Sequence, residues 1–154
     1  PAIYQLPYQD VYVSVESPDG QKERIHGWWI PAQNHSDKTL LYLHGSALNI
    51  GANVDHARRF HDLDFSVFLV SYRGYGLSDG EFPSEGQMYT DAEVAWNYLV
   101  RQKGIDPGRI FIYGHSIGGA IAIGIMAFDG VVLPIIVRIQ IQVIGTVSLV
   151  GIDR

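Results

Sequence analysis

The sequence predicts an α/β fold: an antiparallel hairpin at the N-terminus, then a mostly parallel sheet with flanking helices. Three observations lead there. The first is a Pro-Asp-Gly turn, SPDGQ at 17–21, set between two stretches of alternating apolar and polar residues. The second is a set of short unbroken apolar runs, TLLYL at 39–43, SVFLV at 66–70 and RIFIY at 109–113, the pattern of strands covered on both faces. The third is that helix-period segments separate these runs, so that strand and helix alternate along the chain.

Taken in order, residues 10–17 carry Val11, Val13 and Val15 at a period of two and read as a strand, and 23–30 is the strand that returns from the turn. Trp28 and Trp29 in that second strand read as packing residues. The third strand, 39–43, is followed by a helix over 53–63 with Asn53 as its N-cap, and 66–70 is the fourth strand. The strongest helix comes next. Ser84 and Gln87 have capping-box spacing, and Met88, Ala92, Ala95 and Leu99 recur at steps of four, three and four. Gly104 stands where a helix-ending glycine belongs. GIDPGR at 104–109 makes a tight connection into the fifth strand, 109–113, and a helix over 117–128 follows. With no repeat and no low-complexity linker, the 154 residues read as one domain over 1–154.

A hydrophobic content of 47% and a charged content of 18% belong to a globular chain. The net charge of −5 argues against a nucleic-acid surface, which needs clustered Lys and Arg. The absence of cysteine excludes disulfides, thiolate metal sites and a cysteine nucleophile, and fits a reducing compartment. The chain starts at Pro1 without an initiator methionine or a signal-peptide pattern, so it reads as a processed or partial form. Its localisation, cytoplasmic or membrane-associated through a segment upstream of Pro1, stays open. The stretch 131–152 is dense in Val and Ile but holds Arg138, Gln140 and Gln142 at its middle. An Arg at the centre of a membrane span costs about 2.5–3.5 kcal/mol. Residues 137–143 also alternate with period two, so a strand is the preferred reading, with a membrane span and an irregular stretch as alternatives.

In sheets of this kind chemistry collects at the C-terminal ends of the parallel strands. Three places qualify: His44-Gly45-Ser46, the loop 72–80, and 114–119. The last contains Gly114-His115-Ser116-Ile117-Gly118, a G-x-S-x-G motif at a strand-to-helix corner. So sharp a turn needs small residues on both sides of the serine, and it lifts the hydroxyl above the sheet. The Ile117 amide then points the same way from the helix N-terminus, where the dipole favours developing negative charge. Ser116 is therefore the candidate nucleophile, against the plain alternative of a structural serine in a glycine-rich turn. His44 and Gly45 are candidates for shaping the facing loop and contacting substrate, with action as a base the alternative for His44. His115 reads as mainly structural despite its place beside the nucleophile, and Tyr75 is a candidate wall of the substrate pocket. His26, His35, His56 and His61 have no paired metal spacing except the five-residue step of the last two, which is off the i, i+4 register. No metal and no cofactor is expected.

Several blocks together resemble the alpha/beta-hydrolase superfamily, and within it the serine hydrolases related to the bud-emergence protein. They are LPYQDVYV, HGWWIPA, LLYLHGSALNIGAN, SYRGYGLSDGEFPSEG with DAEVAWNYL, and GIDPGRIFIYGHSIGGAIAI, covering about residues 5–125 in order. The resemblance implies Ser116 as nucleophile, the amides of Ile117 and Ser46 as the oxyanion hole, and an ester or thioester as substrate. Ser71 stands where the family usually has an acidic residue, and Ser46 where it often has Asn; a backbone donor tolerates the second change. Residues 129–154 do not match the family.

One half of the expected machinery is absent from the sequence. The superfamily order is serine, acid, histidine. After Ser116 the only acids are Asp129 and Asp153, and there is no histidine. The preferred expectation is a serine hydrolase of which this chain is a truncated or frame-shifted part. A non-catalytic binding protein and a half completed by another chain are the alternatives. No partner protein is deducible.

Overall fold

In the computed structural model, residues 5–46 and 50–129 are described. The expected strand over 131–150 lies outside the described residues. Five strands form one mixed sheet: β1 (Gln9–Glu16), β2 (Lys22–Ile30), β3 (Thr39–Leu43), β4 (Ser66–Val70) and β5 (Ile110–Gly114), in the order β1-β2-β4-β3-β5. β1 and β2 are the expected hairpin, with Val13 opposite Ile25. β2 joins the rest of the sheet antiparallel, Gly27–Ile30 against Val70–Val67 of β4. β3 runs parallel to both β4 and β5, with Leu43 level with Val70 on one side and Gly114 on the other. The ends of β3 and β5 that carry the candidate residues thus lie side by side. Among the described residues β5 is an edge strand.

The unbroken apolar runs have a simple cause. In each parallel strand odd and even residues enter different cores. Leu41, Leu43, Phe68, Val70, Ile110 and Ile112 pack with the two later helices, α2 (Glu85–Asn97) and α3 (Ile117–Asp129). Leu40, Tyr42, Val67, Leu69 and Tyr113 pack with α1 (Val54–Asp62) on the other face. Every residue of β3 and β4 is buried. No described helix is long and apolar enough to cross a membrane.

Helix α2 starts as its sequence demands. Ser84 Oγ accepts from the Gln87 amide at 3.3 Å, and Gln87 Oε1 accepts from the Ser84 amide at 2.8 Å, a reciprocal capping box. Ser84→Ala should therefore lower stability by about 1 kcal/mol in urea unfolding; an unchanged midpoint would mean that the box carries no load.

Two helix ends depart from expectation. Asn53 does precede α1, but its side chain makes no capping bond; Oδ1 accepts from the buried Tyr42 hydroxyl at 3.2 Å instead. A short 3-10 turn, Ile50–Asn53, leads into the helix. α2 continues past Asn97 as one π-type turn, Tyr98–Gln102, before Gly104 adopts a positive φ of 70°. The extra residue of that turn is invisible in an apolar stripe that reads at regular helical steps.

Candidate active site

The corner at Ser116 is built by two close backbone approaches. A Cβ on Gly114 would fall on the Gly118 carbonyl, and one on Gly118 would fall on the Leu43 carbonyl, with the His44 carbonyl 2.8 Å away. Helix α3 can therefore sit directly against the ends of β5 and β3 only because both positions lack side chains. The His115 amide donates to the Leu43 carbonyl at 3.0 Å and ties the corner to β3. Ser116 itself takes φ = 57°, in the left-handed region, and its residue is exposed. For a non-glycine residue that conformation costs on the order of 1–3 kcal/mol and persists only where the surroundings enforce it. The Gly118 and Gly119 amides bond back to the His115 and Ser116 carbonyls at 3.0 and 2.9 Å. The Ile117 amide heads the helix next to the serine, where unsatisfied donors collect.

The second loop, His44-Gly45-Ser46, leaves β3 and comes up against the corner. A Cβ on Gly45 would lie 3.2 Å from Ser116 Cβ and 3.3 Å from His115 Nδ1. The sequence-derived residues Ser116, Ile117, Ser46, Gly45 and His115 are thus brought to one place. His115 is half-buried, its ring 6.0 Å from that of His56. His44 is fully buried against Tyr72 and Tyr75, ring centroids 4.6 and 5.1 Å away, so its side chain offers no exposed surface to a substrate. Its Nδ1 lies 2.6 Å from the Gly45 carbonyl. Tyr75 is half-buried, and its hydroxyl donates to the Ser46 carbonyl at 2.9 Å. Trp29 is buried and Trp28 half-buried, in keeping with packing roles.

The third loop, 71–84, is anchored by charges that sequence reasoning missed. Arg73 is buried; its amide donates to Asp91 Oδ2 at 2.8 Å, its Nε to Asp91 Oδ1 at 2.7 Å, and a terminal nitrogen to Glu23 Oε2 at 3.1 Å. Burial pushes the Asp91 carboxyl above its ordinary value, while the Arg73 amide and charge pull it down. A signal was available: Asp91 falls between Met88 and Ala92 on the buried stripe of α2, where an acid requires a partner. Outside this cluster, Arg24 Nε and the Asp79 carboxylate pair at 3.0 Å on the exposed side of the loop, and the Arg24 interaction holds Asp79 below its ordinary value. Ser71 is fully buried, and its Oγ has no hydrogen-bond partner among the described residues.

A family model described as serine aminopeptidase, S33, matches residues 34–131. The chain belongs to this alpha/beta-hydrolase family. Alpha/beta-hydrolase relatives include the protein bem46 of Schizosaccharomyces pombe, 44% identical over 93 residues, which are 60% of this chain and 31% of that protein. The alpha/beta hydrolase domain-containing protein WAV2 of Arabidopsis thaliana is 36% identical over 123 residues, 79% of this chain and 38% of that protein. Among solved alpha/beta-hydrolase structures, the Pyrococcus furiosus esterase Pf2001 superposes with a TM-score of 0.70 at 25% identity, covering 84% of this chain and 50% of the esterase. An alpha-beta hydrolase from Vibrio vulnificus gives 0.65 at 34% identity, covering 79% and 40%. The chain thus spans between about a third and a half of the length of these alpha/beta hydrolases.

Proposed function

We propose that this chain carries the nucleophile and oxyanion half of a serine hydrolase site acting on a small-molecule ester or thioester. The observation that carries the reading is Ser116: exposed, held at positive φ at a strand-to-helix corner, and facing the His44–Ser46 loop. The likeness to the Pyrococcus furiosus esterase supports the ester class, and the family model's description, serine aminopeptidase, supports acyl transfer in general.

The chemistry follows from the geometry. Ser116 Oγ attacks the acyl carbon, the Oγ–C bond forms, and the carbonyl π pair moves onto oxygen, where the Ile117 and Ser46 amides receive it. The serine proton passes to a base, which hands it to the leaving oxygen or sulfur as the acyl C–O or C–S bond breaks. Water then attacks the acyl carbon, giving its proton through the base to Ser116 Oγ as the acid leaves. The sequence has no histidine after Ser116. The reading therefore includes a proton acceptor supplied from outside these 154 residues. Losing a triad base costs on the order of 10⁶ in kcat, while an oxyanion hole and binding alone leave about 10³–10⁴ over water.

A fluorophosphonate probe with added imidazole tests this. Imidazole takes the Ser116 proton, the Oγ–P bond forms, and fluoride leaves. Labelling should rise with imidazole concentration and vanish in Ser116→Ala. Labelling that survives Ser116→Ala, or none in the wild-type chain with imidazole present, would sink the proposal. A hydrolase-fold binding protein is the competing reading. Ester-analogue binding equal in wild type and Ser116→Ala, without covalent labelling, would support it.

A further inference from the structure

Three consecutive carbonyls in the loop that faces Ser116 are each held by a ring-borne group. The Tyr72 hydroxyl donates to the His44 carbonyl at 3.2 Å, His44 Nδ1 meets the Gly45 carbonyl at 2.6 Å, and the Tyr75 hydroxyl donates to the Ser46 carbonyl at 2.9 Å. A carbonyl oxygen only accepts, so His44 Nδ1 carries a proton. The Gly45 carbonyl and the Ser46 amide belong to one planar unit and point in opposite directions. Holding the carbonyl therefore aims the amide. The next peptide unit starts at the carbonyl of the exposed Ser46, so the Tyr75 hydroxyl secures the chain on the far side of that residue.

We propose that Tyr75 is a positioning residue: by holding the Ser46 carbonyl, its hydroxyl anchors the chain just past the Ser46 amide and so keeps that amide, oriented through the Gly45 carbonyl, in place beside the oxygen that becomes negative when Ser116 attacks. This rests on the serine-hydrolase reading above.

Tyr75 is suited to the task because it is itself fixed. Its ring lies 5.4 Å from that of Phe82, 5.1 Å from His44 and 6.3 Å from Tyr72. Its amide bonds the Tyr72 carbonyl at 3.1 Å, and its chain neighbourhood is anchored by the buried Arg73–Asp91 pair. The Tyr75 hydroxyl is a donor at neutral pH, and burial raises its pKa further above the ordinary value. Tyr72 and His44 are fully buried members of the core, so among the three groups Tyr75 alone can be altered with little effect on packing.

Tyr75→Phe keeps the ring contacts and removes the donor. Fluorophosphonate labelling at fixed imidazole should show a maximal rate about tenfold lower at an unchanged half-saturating probe concentration. That is a smaller loss than the 10²–10³ seen when an oxyanion donor is deleted outright. Hydrogen exchange at the Ser46 amide should quicken in the same variant. Tyr89→Phe, which removes a hydroxyl bonded to the Ala120 carbonyl, should change neither readout. A wild-type maximal rate in Tyr75→Phe, or a loss confined to the half-saturating concentration, would overturn the proposal; the latter would make Tyr75 a pocket wall. If the wild-type chain does not label at all, the hydrolase reading fails, and Ser46 exchange unchanged by Tyr75→Phe would show separately that the hydroxyl does not hold the loop.

Discussion

Asp91→Ala is expected to lose about 3–5 kcal/mol of folding stability, the range for removing one partner of a buried ion pair. The variant strips two acceptors from Arg73, the one for its amide and the one for Nε, and leaves a buried guanidinium with Glu23 as its remaining charged partner. Against a typical stability of about 5–15 kcal/mol, such a loss would unfold a visible fraction of a chain near the lower end of that range. Urea unfolding reads it directly. Asp79→Ala, which breaks the exposed Arg24 pair, is the comparison and should lose far less. Equal losses in the two variants would mean that Arg73 is not desolvated as described. The surviving folded fraction should also show a loosened 71–84 loop, because Arg73 is its inner anchor.

Gly118→Ala is expected to damage the site more than the fold. The added Cβ would meet the Leu43 and His44 carbonyls, so the start of α3 must back away from β3. Overpacking of this kind costs about 1–3 kcal/mol. A displacement of about 1 Å at a reacting group costs on the order of 10² in rate. Both Ser116 and the Ile117 amide ride on that helix start, so imidazole-assisted labelling should fall by at least that factor. Gly86→Ala provides the contrast. Its Cβ would meet only Ser84 Oγ at 4.0 Å, in the first turn of α2, and the change should be neutral or stabilising by up to about 1 kcal/mol. Wild-type labelling in Gly118→Ala would mean that the close approach to β3 does not set the position of the nucleophile.

The contrast between these residues also explains what the sequence could and could not disclose. The hairpin, the three parallel strands and the start of α2 were legible because their causes are local: a Pro-Asp-Gly turn, apolar runs such as TLLYL, and a Ser84–Gln87 pair three residues apart. The corner at Ser116 was legible for the same reason, since glycines on either side of a serine at a strand end describe one turn. The order of strands was not. That β2 pairs with β4 rather than β3 depends on contacts between distant residues. Asn53 was assigned to a cap from its position, but the buried Tyr42 hydroxyl, from another element, claims its side chain. The bonds joining Tyr75 to Ser46, and Arg73 to Asp91 and Glu23, likewise cross from loop to loop or loop to helix.

The pairing of β2 with β4 has a bearing on how the chain is made. The hairpin leaves the ribosome before β4, and the strand that pairs with its inner edge is complete only at Val70. At about 5–20 residues per second, β2 waits some seconds with its backbone groups and Trp29 uncovered. During that interval the nascent polypeptide presents a ready template for stray association with another chain.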